Sequence, residues 1–382
     1  MKHSFFKFIT VIMCACFMCG CSSGRQEITS GSYSFGIGKG NYSDTFLCYL
    51  TREKQAAVLD YDSMKTTMLC NKPNCTHAGD DCIENRPNGS IPVFGEQCAY
   101  YFVDDEPRIE QNSEGKADLV LSSALCRYDF GSNTEKQLMQ VQDACVGENC
   151  KGLLLDHDVL YFVENKLGRT YDEAGALDYY RSHGGALSLH AVSLSDMKVS
   201  DLCELYDVEA LEQYYPLAGN SGSVTMQGKY DNKIYFNVVF ALDETGAEPG
   251  YYVTYYDLTD GSYHGTPEDY AKIESGKVMY LSDDALVICR NDGKAEVYRK
   301  ENAEPVILED EYYFVYGSDI MVDQDYLFCA DKVFDLNTGE SRNLEALQDE
   351  KHVIAKYGDS YITARRGLPG DFEKISAKKI LN

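Results

Sequence analysis

The chain has 382 residues, with 61 Asp and Glu against 35 Lys and Arg, for a net charge of −26. A surface this acidic, without clustered Lys and Arg, repels phosphate backbones and excludes nucleic acid as a partner. An apolar share of 44%, with 30 Tyr, 16 Phe and no Trp, is enough to build a core, and the length allows one large repeat domain or two smaller ones.

At the N-terminus, Lys2 and Lys7 form a short basic region and residues 8–18 an apolar stretch too short to span a bilayer. Met18-Cys19-Gly20-Cys21 then offers small residues for cleavage, so residues 1–20 read as an export signal. With Ser22-Ser23-Gly24 behind it, this tetrapeptide resembles the lipobox of bacterial lipoproteins. The resemblance implies that Cys21 is the lipidated first residue of the mature protein, held at the extracytoplasmic face of the cell membrane. Met18 departs from the leucine the motif prefers, and a rival site at Cys16 would leave a stunted apolar core. Each buried acyl methylene is worth about 0.8 kcal/mol, so two or three chains make a lasting anchor. Residues 21–31 are polar and unpatterned, a short tether that keeps the folded part close to the envelope.

From residue 32 a phrase recurs: an alternating apolar run, a turn, a second run, then Tyr-Asp or Asp-Leu, a polar turn and a last strand. It is seen at 56–70, at 98–106 with 124–139, and at 159–166 with 187–205, and again at 233–243 with 251–265, 277–308, 326–344 and 352–367. Period-two alternation rich in Tyr, Val, Ile and Phe marks strands, and Asp-Leu-Thr-Asp-Gly (257–261) and Asp-Leu-Asn-Thr-Gly (335–339) mark hairpin turns. A recurrence of about 40–50 residues points to an all-β fold, a β-propeller of about seven four-stranded blades over residues 32–382. A final strand, Phe372 to Leu381, is expected to pair with Ser32 to Lys39 and seal the ring. Two stacked β-sandwiches would need a linker rich in Pro, Ser or Gly, and mid-chain there is none. Helical periodicity is confined to the signal, 172–182 and 207–214.

The segment LCNKPNCTHAGDDC (69–82), with the lipobox and the Asp-Leu-x-Thr-Gly turn, resembles a group of propeller-like lipoproteins of Gram-positive anaerobes. These share a Leu-Cys-x-Lys-Pro-x-Cys-x-His segment. The resemblance implies fold and place and carries no ligand or reaction.

The same segment sets Cys70, Cys75, His77 and Cys82 within thirteen residues, a ligand set suited to tetrahedral Zn²⁺. Exported cysteines also oxidise, so a disulfide, Cys70–Cys82 or Cys70–Cys75, is the competing reading, as it is for Cys145 and Cys150. Cys289 and Cys329 sit inside strand patterns and read as small buried apolar residues. Gly219-Asn220-Ser221-Gly222-Ser223 has Ser223 where a nucleophile elbow has glycine at its fifth position, and the Asp-rich turns lack EF-hand order. Adjacent acids such as Asp104-Asp105 and Asp283-Asp284 face opposite sides of a strand and cannot flank one bond. Histidines 157, 190, 264 and 352 stand singly and read as structural. Two insertions interrupt the phrases and carry the ligand-binding candidates Tyr171, Tyr179, Tyr180, Arg181, Tyr214 and Tyr215, because flat phenol rings beside acids suit sugars or peptides.

The expectation is a non-enzymatic binding or scaffolding propeller without a cofactor, whose partner is a glycan, a peptide or an envelope protein. The alternative is an extracellular glycan-active propeller enzyme with acids at the central channel. Convergent acids of raised pKa would favour the enzyme and a tyrosine-lined face would favour binding.

Overall fold

The computed structural model describes residues 41–42, 46–50, 56–68, 70, 75, 82, 92–95, 97–105, 108–111, 115, 117–120, 122–142, 144–145, 152–166, 187–206, 223–241, 249–265, 276–310, 314, 320–345, 347, 351–365 and 368–381. Among these residues, seven antiparallel sheets follow one another in chain order, joined by one extra hairpin and one short helix. No helix among them is long and apolar enough to cross a membrane.

Blade 1 runs from Asn41–Tyr42 to Lys65–Met68, and blade 2 from Val93–Gly95 to Thr134–Gln142. In blade 3, Ala144–Cys145 and Leu153–Asp156 both pair with Val159–Lys166, and Val199–Tyr206 is the outer strand. Blade 4 runs from Ser223–Tyr230 to Ser262–His264, blade 5 from Gly276–Leu281 to Val306–Glu309 and blade 6 from Ile320–Asp323 to Ser341–Asn343. Blade 7 shows three strands, Lys351–Tyr357, Ser360–Arg365 and Leu368–Ser376.

In blades 2 to 7 the strands Val93–Gly95, Leu153–Asp156, Ser223–Tyr230, Gly276–Leu281, Ile320–Asp323 and Lys351–Tyr357 neighbour one another in succession and so lie at the axis. Val93–Gly95 is fully buried, whereas Ser341–Asn343 is fully exposed. Alternation explains the outer strands: in Lys294–Arg299 the side chains of Ala295 and Val297 turn inward and Lys294 and Glu296 lie nearer solvent. Inner strands are covered on both faces, so Ala285 to Cys289 reads as an unbroken apolar run and is buried throughout.

The core is a set of seams between blades, as expected of sheets that cannot bury both faces alone. Phe46 of blade 1 meets Phe94 of blade 2 at 5.5 Å between ring centroids, and Phe102 of blade 2 meets Phe162 of blade 3 at 5.1 Å. Leu189 and Leu205 of blade 3 pack with Met226 and Phe236 of blade 4, and Tyr235 of blade 4 with Leu286 and Ile288 of blade 5. Val287 and Val297 of blade 5 pack with Leu327 and Phe334 of blade 6. Phe328 of blade 6 meets Tyr361 of blade 7 at 4.8 Å. The ring then closes. Tyr49 of blade 1 lies 5.0 Å from Phe372 of blade 7, Tyr61 6.0 Å from Tyr357, and Lys374 Nζ donates to the Tyr61 carbonyl at 3.2 Å. One seam is tight enough to require glycine: a Cβ on Gly152, ahead of the inner strand of blade 3, would overlap the Met226 side chain of blade 4.

The closing strand differs from expectation in one respect. It ends at Ser376, and Ala377–Leu381 forms a helix that packs Ile380 into the seam between blades 6 and 7. Ser32 to Lys39, the expected sealing partner, lies outside the described residues, as do 172–182 and 207–214.

The turn from third to fourth strand repeats one device. Asp60, Asp129, Asp257 and Asp335 each accept a backbone N–H two or three residues on, at 2.7 to 2.8 Å. The next residue, Tyr61, Phe130, Leu258 or Leu336, tucks toward a seam, and the chain then passes through a left-handed residue: Met64, Asn133, Gly261 or Gly339. An extra hairpin, Arg108–Gln111 paired with Ala117–Val120, stands between the second and third strands of blade 2. It exposes 74% of Ile109 and leaves open space around Gly115.

Candidate functional site

Because every inner strand runs the same way, its end and the turn after it gather on one face around the axis. That face is rich in acid: Asp156 and Asp158, Asp231, Asp283 and Asp284, Asp323 and Asp325, and Asp359. Lysines from neighbouring blades answer several of them. Lys229 of blade 4 pairs with Asp156 of blade 3, both largely buried. Lys356 of blade 7 lies 2.8 Å from the Asp323 carboxylate of blade 6, which also accepts from the Tyr361 hydroxyl at 2.6 Å. Accepting that bond, Asp323 adds to the burial that holds the Tyr361 phenol well above its ordinary pKa. Asp283 differs. Enclosure by the surrounding protein raises its pKa even though its surface is reachable by solvent, Asp284 and Asp156 add repulsion, and Lys300 and Lys229 oppose it.

On the same face, the seam between blades 3 and 4 opens into a cleft of about 330 Å³. Blade 3 contributes Val159, Tyr161, Ala191, Ser193, Lys198 and Ser200, and blade 4 Tyr256 and Leu258. Register explains the grouping. Tyr161 pairs with Ala191 and Ala191 with Ser200, so the three side chains point to one face of the sheet, and Val159 with Ser193 flanks them. Burial raises the pKa of both tyrosines; Asp156 adds to it at Tyr161 and Cys203 at Tyr256. Both phenols are protonated at neutral pH, as any tyrosine is, and neither hydroxyl makes a hydrogen bond among the described residues. The cleft offers apolar walls, two phenol donors, two serine hydroxyls and a lysine, a lining typical of small-ligand sites.

The sequence candidates fare unevenly. The sulfurs of Cys70, Cys75 and Cys82 come within 4.8 Å of one another at the seam of blades 1 and 2. His77 and Cys150 lie outside the described residues, and Cys145 is placed only as backbone in Ala144–Cys145. Cys21, Tyr171, Tyr179, Tyr180, Arg181, Tyr214 and Tyr215 also lie outside them. Both tyrosine insertions leave blade 3 at the end where Asn165 pairs with Leu187 and Leu187 with Tyr206, opposite the Val159–Ser193 end that forms the cleft. Cys289 and Cys329 are buried core residues, as their strand patterns suggest. His190 is buried and stacked on Phe162 at 5.2 Å, with Nδ1 2.9 Å from Asp201 Oδ1. Its Nε2 is 2.7 Å from Glu164 Oε2. His264 stacks on Tyr255 at 4.5 Å, and His157 is exposed beside Asp156. Tyr161 and Tyr256 were not singled out by the sequence, since Leu-Tyr-Phe-Val and Val-Thr-Tyr-Tyr read as core strands whichever way a ring points.

No protein-family model and no curated protein matches this chain. Among solved structures it is similar to the β-propeller domain of Cps50 (Swd1) from Myceliophteria thermophila, at 9% identity and a TM-score of 0.46, covering 92% of this chain and 99% of that one. It is also similar to the β-propeller domain of the Trilobed protease from Pyrococcus furiosus, at 9% identity and a TM-score of 0.40, covering 93% and 98%. A third likeness is to Porphyromonas gingivalis dipeptidyl peptidase 4, at 11% identity and a TM-score of 0.42, covering 87% of this chain and 56% of that one. The strand pairing itself makes the protein a seven-bladed β-propeller.

Proposed function

We propose that the chain is a non-enzymatic binding propeller, moored outside the cell by a lipidated Cys21, that takes a short glycan or peptide segment in the cleft between blades 3 and 4. The observation that carries this reading is the pair of phenol hydroxyls, Tyr161 and Tyr256, which line the cleft and are engaged by no protein group among the described residues. Neither hydroxyl is sealed from solvent, so both stand open on the cleft to a ligand hydroxyl or carbonyl. The acids around the axis support binding over turnover, because two of them, Asp156 and Asp323, are committed to lysines.

The test is a glycan and peptide array probed with the full chain in detergent, followed by Tyr161→Ala and Tyr256→Ala. Binding that falls at least tenfold in both variants, while the unfolding midpoint of each still shows a folded protein, supports the reading; an array without signal overturns it. Acylation is tested separately by mass spectrometry of the mature N-terminus, with Cys21→Ser as the unmodified control.

Asp283 favours the second reading, a glycan-active enzyme, because a carboxyl of raised pKa beside other carboxylates is what a general acid requires. Glycan hydrolysis lost in Asp283→Asn with binding retained would replace the first reading with this one.

A further inference from the structure

Away from the cleft, where blade 1 hands the chain to blade 2, three thiols converge. Cys70 stands just past Lys65–Met68, the rim strand of blade 1, and Cys82 ahead of Val93–Gly95, the axial strand of blade 2. Cys70 and Cys82 are buried, Cys75 is half-buried, and the three sulfurs all lie within 4.8 Å of one another. Around them pack Phe46 of blade 1 and Phe94, Tyr101, Tyr128 and Phe130 of blade 2.

A tetrahedral zinc with Zn–S bonds of about 2.3 Å holds its sulfurs about 3.8 Å apart, a spacing that fits inside this cluster. A disulfide needs two sulfurs and gives the third no role, whereas a shared ion uses all three. The aromatic wall makes an isolated thiolate costly, so the thiols stay protonated until a cation arrives to take up their charge at the same point.

We propose that Cys70, Cys75 and Cys82 form a thiolate site for a thiophilic divalent cation, Zn²⁺ foremost, which clasps the crossover between blades 1 and 2. On loading, each thiol releases its proton to solvent and donates a sulfur lone pair, and a further donor completes the tetrahedron. No electron is transferred. The site goes beyond the binding reading, since it occupies a different seam and uses none of the cleft residues.

The test takes the full chain, purified with a non-thiol reductant and no chelator, and measures zinc by elemental analysis. Cobalt is then exchanged in and its spectrum recorded. One equivalent of zinc per chain, tetrahedral thiolate bands on cobalt exchange and three cysteines protected from alkylation until a chelator is added are expected. Cys75→Ser, at the half-buried position, should lower zinc retention at least tenfold, while Cys203→Ser in blade 3 should keep it. If Cys75→Ser fails to fold, the wild-type metal content and alkylation pattern decide alone. Protein that takes up neither zinc nor cobalt overturns the proposal, and so does a Cys70–Cys82 or Cys70–Cys75 disulfide mapped in protein from its native host.

Discussion

The Asp323 carboxylate is 9% exposed and accepts from Tyr361 at 2.6 Å while facing the Lys356 ammonium at 2.8 Å, so one side chain of blade 6 ties down two of blade 7. Replacing it with Ala strands a buried phenol and leaves Lys356 unanswered. We expect Asp323→Ala to cost about 2–3 kcal/mol, read as a lowered midpoint in urea unfolding, with Tyr361→Phe costing about 1 kcal/mol. Asp283 should behave in the opposite sense. Its raised pKa means that the folded state disfavours the charged form; the stability it contributes is present below its unfolded pKa and lost as pH rises through the folded value. Asp283→Asn should therefore stabilise the protein at pH 7, and the gain should vanish in acid, a signature a structural carboxylate would not give. Alkali reports on the tyrosines. Burial, aided by Glu296, pushes the Tyr298 phenol up to about 12, and Tyr161, Tyr235 and Tyr256 are raised as well. Stability should be complete below pH about 10, the ordinary tyrosine value, and fall as pH rises through about 12; absorbance at the phenolate band should lag that of the urea-unfolded chain. These tyrosines also mark where the sequence was hardest to read. A period-two pattern places Tyr161 on a strand, but which face opens to solvent depends on how the neighbouring blade seats against it.

The four-strand phrase was legible because its turn chemistry is local. Asp335 accepts from the Asn337 N–H at 2.8 Å, Leu336 tucks inward and Gly339 takes φ 75°, which Asp-Leu-Asn-Thr-Gly announces in five residues. Asp60 to Met64 builds the same turn with Tyr61 buried and Met64 at φ 53°, and no glycine betrays it. The pair gives a prediction. Gly339→Ala should cost about 1 kcal/mol, since a Cβ is penalised in the left-handed region, whereas Met64→Gly should be neutral or stabilising, both read from thermal midpoints. The end of blade 7 was less legible. Phe372 to Leu381 alternates well enough for a strand, yet Ala377 leaves the sheet, its N–H bonded to the Asp359 carbonyl at 2.9 Å, and the last turn is helical. That change depends on a seam with blade 6 that Ile380 fills, information no local pattern carries.

A ring whose every blade is braced by two others has no weakest edge until it is opened. The seam of blades 1 and 7 joins residues far apart in sequence, Tyr49 to Phe372 and Tyr61 to Tyr357 and Lys374. Phe372→Ala should raise hydrogen exchange in blades 1 and 7 together and leave blade 4 unchanged; a uniform rise would mean that closure does not hold those blades in place. Gly152→Ala should act at the seam of blades 3 and 4, where its new methyl collides with Met226, lowering stability by about 1–3 kcal/mol and altering the neighbouring cleft. The number of blades was readable from the recurrence of phrases, because each phrase is one sheet; the placement of the cleft was not, because it belongs to two sheets at once. The hairpin on blade 2 belongs to neither account. It adds no strand to the wheel, and nothing crowds Gly115 at its tip. A foreign epitope spliced in there would be displayed without disturbing any seam, and intact cells that stain with the matching antibody would show directly which side of the membrane the wheel occupies.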